Sequence, residues 1–248
     1  MFSSILLQTD SDKDITLLNT SKILCTKDLS TTNNRFIYTV SDKLRIYRLN
    51  PYSLVEEIEI KLKVDLILVI KNDIFYVGEG RLIKNMKENI SLQESVFGIS
   101  NVEDKVGVQF ADKLVLYDFD LNKVKEYKCT SSFYVDGVLL LGYKNHLQII
   151  TRSALDIYLE DDITCITCDI LFSRIFCGST SGKIYQINMD GTPNKILDYH
   201  ETSVKFVKMS MCDRFLYSAD ESGLLLIWED VVVDRVKLDN IKGLEVYI

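Results

Sequence analysis

Residues Phe176–Asn188 read FCGSTSGKIYQIN, and the fold turns on whether GSTSGK cradles a phosphate or reverses a β-hairpin. A phosphate-binding loop has the form G-x-x-x-x-G-K-[ST] and lies between a strand and a helix. Here Gly178 and Gly182 are separated by three residues, one too few, and Ile184 stands where Ser or Thr would hold magnesium. Ile184, Tyr185 and Ile187 are β-type residues without helical periodicity, so no helix N-terminus follows to offer its N–H groups to an anion. Ser and Gly between two apolar runs are turn chemistry. The stretch reads as a hairpin, with Gly182 present for its backbone freedom.

The same pattern recurs along the chain: a β-rich run, a short polar turn, a second β-rich run. The copies are SSILLQ-TDSDKD-ITLLN, RFIYTV-SDK-LRIYRL, DIFYV-GEGR-LIKNM, KVGVQF-ADK-LVLYDF, VLLLGY-KNH-LQIITR, RIFCG-STSGK-IYQIN and RFLYS-ADESG-LLLIW. Their second runs begin at Ile15, Leu44, Leu82, Leu114, Leu147, Ile184 and Leu225, at spacings of 29, 38, 32, 33, 37 and 41 residues. Further strand candidates lie between them, at 22–29, 54–60, 124–129, 155–159 and 231–238. No segment carries a helical stripe, and the two prolines, Pro51 and Pro193, fall in expected loops.

Seven units of about four strands predict an all-β fold, a seven-bladed β-propeller over residues 1–248 as a single domain. A four-stranded sheet cannot cover both of its own faces, and stacking in a closed ring covers them all. The first unit lacks an innermost strand, and the tail Leu244–Ile248 is strand-like and otherwise unassigned. The tail is expected to pair with residues 4–8 and close the ring. Within that first unit, 15–19 is expected as the third strand and 22–29 as the outer one.

Composition narrows the function. The chain carries 29 basic and 36 acidic residues, a net charge of −7, which argues against bulk electrostatic binding of nucleic acid. Its longest apolar runs, 66–70 and 138–141, are too short to span a bilayer as a helix, so no membrane contact is expected. The N-terminus MFSSILLQTDSDKD has no basic region and soon meets acids, so secretion is not expected. Cys165 and Cys168 form one C-x-x-C, but in a strand residues three apart point to opposite faces, so they are read as reduced structural cysteines rather than metal ligands. His146 is read as a solvated turn residue. With two histidines and no nucleophile motif, neither catalysis, a cofactor nor a small-molecule substrate is expected.

The last unit, His200 followed by SVKFVKMSMCDRFLYSADESGLLLIWED, resembles a WD40 repeat. The resemblance implies a structural network of a loop His, a strand Ser, a strand Trp and a turn Asp. Carried over, these are His200, Ser218 and Trp228, with Ser222 standing where the turn Asp belongs. Residues 161–230 also resemble the WD40 subunit of the late pre-60S ribosome-assembly complex, the Rix-type assembly that works alongside midasin. The matching residues are Ile163-Thr164, Phe176-Cys177-Gly178, Gly182-Lys183-Ile184 and Ile187. This resemblance implies a scaffold in large-subunit maturation, with pre-60S particles as partners and a nuclear or nucleolar location. A WD40 scaffold elsewhere, in a membrane coat, a nuclear pore or a chromatin complex, is the alternative, with a cytoplasmic location where the ribosomal likeness fails.

Ring closure gathers loop acids into one sector: Glu160, Asp161, Asp162, Asp198, Glu201, Asp220, Glu221, Asp239, Asp10, Asp12 and Asp14, opposed by Lys183, Lys242 and Lys13. They read either as solvated loop charge or as a docking sector for a basic protein or peptide, led by Asp161, Asp162, Asp198, Glu201, Asp220 and Glu221. A smaller basic group, Lys61, Lys63, Arg81, Lys84 and Lys87, is the place where RNA contact is best sought, or ordinary surface charge.

Overall fold

The structure is a computed structural model that describes residues 4–8, 16–18, 23–26, 29–32, 36–40, 43–49, 52–60, 63–70, 73–85, 87–169, 171, 173–210, 214–238, 241 and 243–247. No helix occurs among them. The chain begins with β1 (Ser4–Gln8), β2 (Thr16–Leu18) and β3 (Ile23–Thr26). Six four-stranded sheets follow in order, each antiparallel throughout and ordered as in the sequence. The first comprises β4 (Leu29–Thr32), β5 (Phe36–Val40), β6 (Lys43–Leu49) and β7 (Tyr52–Glu59). The second comprises β8 (Leu66–Ile70), β9 (Asp73–Gly78), β10 (Arg81–Lys84) and β11 (Glu88–Ser91). The third comprises β12 (Gly98–Val102), β13 (Lys105–Gln109), β14 (Lys113–Tyr117) and β15 (Lys123–Lys128). The fourth comprises β16 (Ser131–Val135), β17 (Val138–Tyr143), β18 (His146–Ile150) and β19 (Ala154–Tyr158). The fifth comprises β20 (Ile163–Cys168), β21 (Arg174–Ser179), β22 (Lys183–Asn188) and β23 (Pro193–Asp198). The sixth comprises β24 (Val204–Met209), β25 (Leu216–Asp220), β26 (Leu224–Trp228) and β27 (Val232–Lys237), and β28 (Gly243–Tyr247) ends the described chain.

Local chemistry explains the hairpins. Asp136-Gly137 joins β16 to β17 with both residues at positive φ, and Glu79-Gly80 does the same between β9 and β10. Two-residue turns of this hand match the twist of the flanking strands. In the second to sixth sheets burial then falls from the middle strands to the outer one. β21 and β25 are buried almost end to end, whereas β15, β23 and β27 are mostly exposed.

Alternate residues of a middle strand serve opposite neighbours. Leu226 and Trp228 of β26 pack with Phe176, Ile184 and Leu197 of the fifth sheet. Leu225 and Ile227 of the same strand pack on the other side with Ile241. Leu140, Leu147 and Ile149 of the fourth sheet likewise meet Ile163, Ile175 and Cys177 of the fifth. This two-sided burial follows from the period of two along a strand.

The first strands of the six sheets sit side by side in sequence order: β4, β8, β12, β16, β20, β24. β28 touches both β24 and β4. It runs antiparallel to β1, with Ser4 opposite Tyr247 and Gln8 opposite Gly243. Beyond β1 the order differs from the sequence expectation. β1 and β2 do not form a hairpin; β3 lies beside β1 in parallel, and β2 is outermost, giving β2-β3-β1-β28. The four-residue β3 matches four positions of β1, while the shorter β2 pairs at three positions with β3. The segment expected as one outer strand, 22–29, is also divided: β3 ends at Thr26, and Leu29 begins the next sheet.

Removing residues 243–248 strips β28 from β1 and from its two neighbours. Loss of a whole strand costs more than the roughly 4 kcal/mol that marks severe point mutations. At about 3 °C per kcal/mol for a chain of this size, the melting temperature is predicted to fall by about 10 °C or more. A thermal unfolding curve that superimposes on wild type sinks this account of the seam.

Candidate functional site

The candidate surface is the rim formed by the hairpins of the fifth and sixth sheets and the loop carrying His200. Its first feature answers the phosphate question. Gly182 has φ +89°, and a Cβ placed there would lie 2.2 Å from the His200 carbonyl oxygen and 3.1 Å from that of Thr202. The space before the glycine is filled by backbone acceptors, which repel an anion. Lys183 is held by acids, with Nζ 3.5 Å from Glu160 and 3.6 Å from Asp161. The turn is a packed hairpin, and Gly182 lets the sixth sheet's loop approach.

Asp161 is not a free surface acid. It accepts hydrogen bonds from the Tyr185 hydroxyl and, at 2.7 Å, from the Ser181 hydroxyl. Those two donors, with Lys183 beside them, hold its carboxyl below the usual range. Burial and the same carboxylate push the Tyr185 hydroxyl well up.

In the sixth sheet, His200 Nε2 lies 2.7 Å from Ser218 Oγ, and Trp228 Nε1 donates to that oxygen at 2.7 Å. His200 Nδ1 lies 3.0 Å from Asp220 Oδ2. The Asp220 Oδ1 atom accepts from Ser222 N at 2.9 Å, Ser222 Oγ at 2.7 Å and Leu224 N at 3.0 Å. All four members, His200, Ser218, Asp220 and Trp228, are buried. One proton arrangement satisfies every atom. Trp228 donates to Ser218, Ser218 donates to His200 Nε2, and His200 Nδ1–H donates to Asp220.

The sequence reading is corrected here. Ser222 does not stand in for a missing Asp; Asp220 fills that role and Ser222 supports it. Asp220 therefore leaves the acidic surface sector, where the sequence placed it. Ser218 and Asp220 are two apart on one strand and so share a face, which is the sequence signal that identifies the pair.

The rest of the sector divides. Glu221 pairs with Lys205, and Lys237 donates to Ser222 Oγ at 2.8 Å. Both lysines sit in strands, β24 and β27, and the loop count overlooked them. Asp162, Asp198 and Glu201 are exposed and form no ion pair among the described residues. Asp10, Asp12, Lys13, Asp14, Asp239 and Lys242 lie outside the described residues.

The described members of the basic group divide. Arg81 and Lys84 are three apart on β10 and so face opposite ways. Lys84 donates to the Phe119 carbonyl at 3.0 Å and lies 3.7 Å from Asp73. Lys63 and Lys87 are exposed, and Lys61 lies outside the described residues. His146 is not a solvated turn residue: it opens β18, sits 2.9 Å from Asp156 and stacks on Tyr158. Cys165 and Cys168 join different packing clusters, on opposite sides of β20. Burial raises the Cys165 thiol to about 11.

Two polar clasps, one half-buried and one buried, escaped the sequence reading. Gln109 Nε2 donates to the carbonyls of Phe110, Lys113 and Cys129 at 2.8, 3.1 and 3.0 Å, while its Oε1 accepts from Ser132 Oγ at 3.0 Å. It ties the third sheet to the fourth. Asp169 accepts from Ser173 N at 2.7 Å and from Arg174 N and Nε at 3.0 Å, fixing the opposite turn of the fifth sheet. Beside it, Arg174, Phe176, Met209, Arg214 and Leu216 line a cleft of about 230 Å³. Its cations are engaged: Arg174 with Asp169, Arg214 with Glu229, and Lys195 with the Asp230 carbonyl.

Successive four-stranded sheets with their first strands abreast, and a His–Ser–Trp–Asp network at one rim, define a β-propeller of the WD40 type. No protein-family model matches the sequence, and no curated protein matches it. Solved structures do. Hsv2 of Kluyveromyces lactis superimposes with a TM-score of 0.70 at 13% identity, covering 85% of this chain and 81% of that one. Hsv2 of Kluyveromyces marxianus gives 0.70 at 12% identity, covering 82% and 76%. The computationally designed protein Ika8 gives 0.64 at 12% identity, covering 96% and 79%. At these identities the likeness is one of fold.

Two outcomes are predicted. Gly182→Ala meets both the His200 carbonyl and a positive φ, and is expected to destabilise by about 2–4 kcal/mol in denaturant unfolding; an unchanged midpoint removes the close approach. The second concerns acid. Burial, against the opposing pull of Asp220, keeps the folded-state pKa of His200 below its usual 6.5. Burial pushes Asp220 up, but Ser222, the Leu224 N–H and His200 outweigh it and hold its carboxyl below 3.8. For both groups the unfolded chain binds more protons, so stability is lost as pH falls, beginning near the unfolded His value of 6.5 and continuing downward. His200→Gln is expected to lower the melting temperature at pH 7 and to flatten its decline between pH 7 and 5. A variant that keeps the wild-type slope shows that His200 does not carry it.

Proposed function

We propose that the chain is a single seven-bladed wheel over residues 1–248, with β2-β3-β1-β28 as the seventh blade and the β1–β28 pair as its seam. It serves as a non-catalytic scaffold for protein–protein interaction, in maturation of the large ribosomal subunit within the nucleus or nucleolus. The observation that carries the scaffold reading is the state of the rim. Its buried polar side chains are committed to one another: both ring nitrogens of His200 are engaged, and Asp161 and Asp220 are saturated by donors. Among the described residues, the exposed acids of this rim without an ion pair are Asp162, Asp198 and Glu201, on a backbone held fixed by those bonds. The ribosomal assignment rests on the resemblance of residues 161–230.

Such a rim suits a basic protein or peptide. Exposed charge of this kind raises the association rate more than the final affinity. Affinity purification of the tagged chain is expected to recover large-subunit precursors; recovery of coat, nuclear-pore or chromatin proteins instead overturns the ribosomal assignment while leaving the scaffold. Changing Asp162, Asp198 and Glu201 together to Lys is expected to slow capture of the recovered partner about tenfold at low salt, with a smaller effect as salt rises. Equal capture rates at every ionic strength sink the acidic docking surface.

A further inference from the structure

The outer strand of every blade has a free edge, and such edges invite pairing with other chains. Five of the six antiparallel sheets protect theirs. β7, β15, β23 and β27 each skip one residue against the neighbouring strand, at Val55, Val124, Asn194 and Val233 respectively. Those bulges are reinforced by charge or proline: three glutamates in β7, three lysines in β15, Pro193 and Lys195 in β23, Arg235 and Lys237 in β27. β11 is four residues long and β2 three. β19, ALDIY, carries no register shift, no proline and no lysine. Its single charge, Asp156, is engaged by His146 and by Gln148, each at 2.9 Å.

Geometry fixes what this edge offers. The Leu159 N–H points inward, to the Asn145 carbonyl. In an antiparallel ladder the direction alternates, so the N–H and C=O groups of Ala154, Asp156 and Tyr158 point outward. Tyr158 is 73% exposed and Leu155 40%.

We propose that the free edge of β19 pairs antiparallel with the β19 edge of a second copy, with Ile157 on the two-fold axis. Outward-facing residues must sit opposite outward-facing ones, which leaves few registers. A centre at Asp156 sets that acid against itself, and a centre at Tyr158 sets it against Glu160. A centre at Leu155 leaves Tyr158 beyond the overlap and sets Ile157 against Ser153. The centre at Ile157 places Asp156 opposite Tyr158 twice, with four main-chain hydrogen bonds, and on the other face places Ile157 against itself and Leu155 against Leu159. The pairs from Leu155 to Leu159 are then polar with polar or apolar with apolar, as favourable pairing requires, and Ala154 meets Glu160 at the margin. The equivalent pairing of β27 fails, since its two central registers set Arg235 or Asp234 against itself. An isologous contact closes on itself and does not propagate into fibres.

Sedimentation velocity of the full chain tests this. An edge of this size makes a weak interface, so reversible dimerisation is expected at about 100 µM and below. Tyr158→Pro deletes an outward N–H that its own sheet does not use, and is expected to weaken dimerisation at least tenfold. Tyr158→Glu sets an acid against Asp156 and serves where the proline variant does not fold. Val233→Lys, on β27, is expected to leave association unchanged. Ile157→Cys is expected to crosslink two copies under mild oxidation, while the wild-type cysteines do not. A wild-type chain that stays monomeric at about 100 µM overturns the proposal, as does dimerisation indifferent to a folded Tyr158 variant or sensitive to Val233→Lys.

Discussion

A twisted sheet of four strands whose middle strands are apolar on both faces has no stable existence by itself. Every other feature of this chain follows from covering those faces. β26 shows the constraint in five residues: Leu226 and Trp228 face the preceding sheet, while Leu225 and Ile227 pack on the other side with Ile241. Each sheet is thus a wall shared by two interfaces. The packing has no natural end, and the contacts of β28 with both β24 and β4 bring the last wall to the first. Outer strands are released from this demand, which is why their sequences are the most polar and the most varied.

The same stacking makes the rim costly to build. Polar groups buried where one sheet's hairpin meets the next sheet's loop must find partners. The last residue of the second strand repeatedly supplies the solution, with different chemistry each time. Gln109 closes β13 and bridges to Cys129 and Ser132. Ser179 closes β21 beside Ser181 and the Lys183 carbonyl. Asp220 closes β25 and holds His200. Where no polar clasp is used, close backbone approach replaces it, as at Gly182 under the His200 loop. A rim assembled in this way is stiff, and stiffness is what a platform for other proteins needs.

The hairpins were legible because their signals are local. The turn GEGR between DIFYV and LIKNM and the alternation of KLVLY or LLLIW depend on residues a few places apart. The order β3-β1 was not legible, since a parallel pair joins segments whose link carries no turn signature. Charges misled for a related reason. Asp220 and Asp162 look alike in sequence, yet one is buried in a network and the other is exposed. Lys205 and Lys237 were left out of the loop count, although their long side chains reach the rim and meet Glu221 and Ser222. His146 looked like a turn residue until Tyr158, twelve residues on, was brought beside it.

The WD40 resemblance of the last unit pointed to three members of the buried network, while residue pattern alone determined the class of fold, the hairpin identity of FCGSTSGKIYQIN and the recurring unit. These rest on period-two burial and turn chemistry, which act over a few residues. Tertiary structure alone decided which acids remain at the surface, that Asp220 completes the network, and that β19 has an unguarded edge. Those properties depend on which distant segments become neighbours when the sheets stack, and a linear spacing holds no record of that.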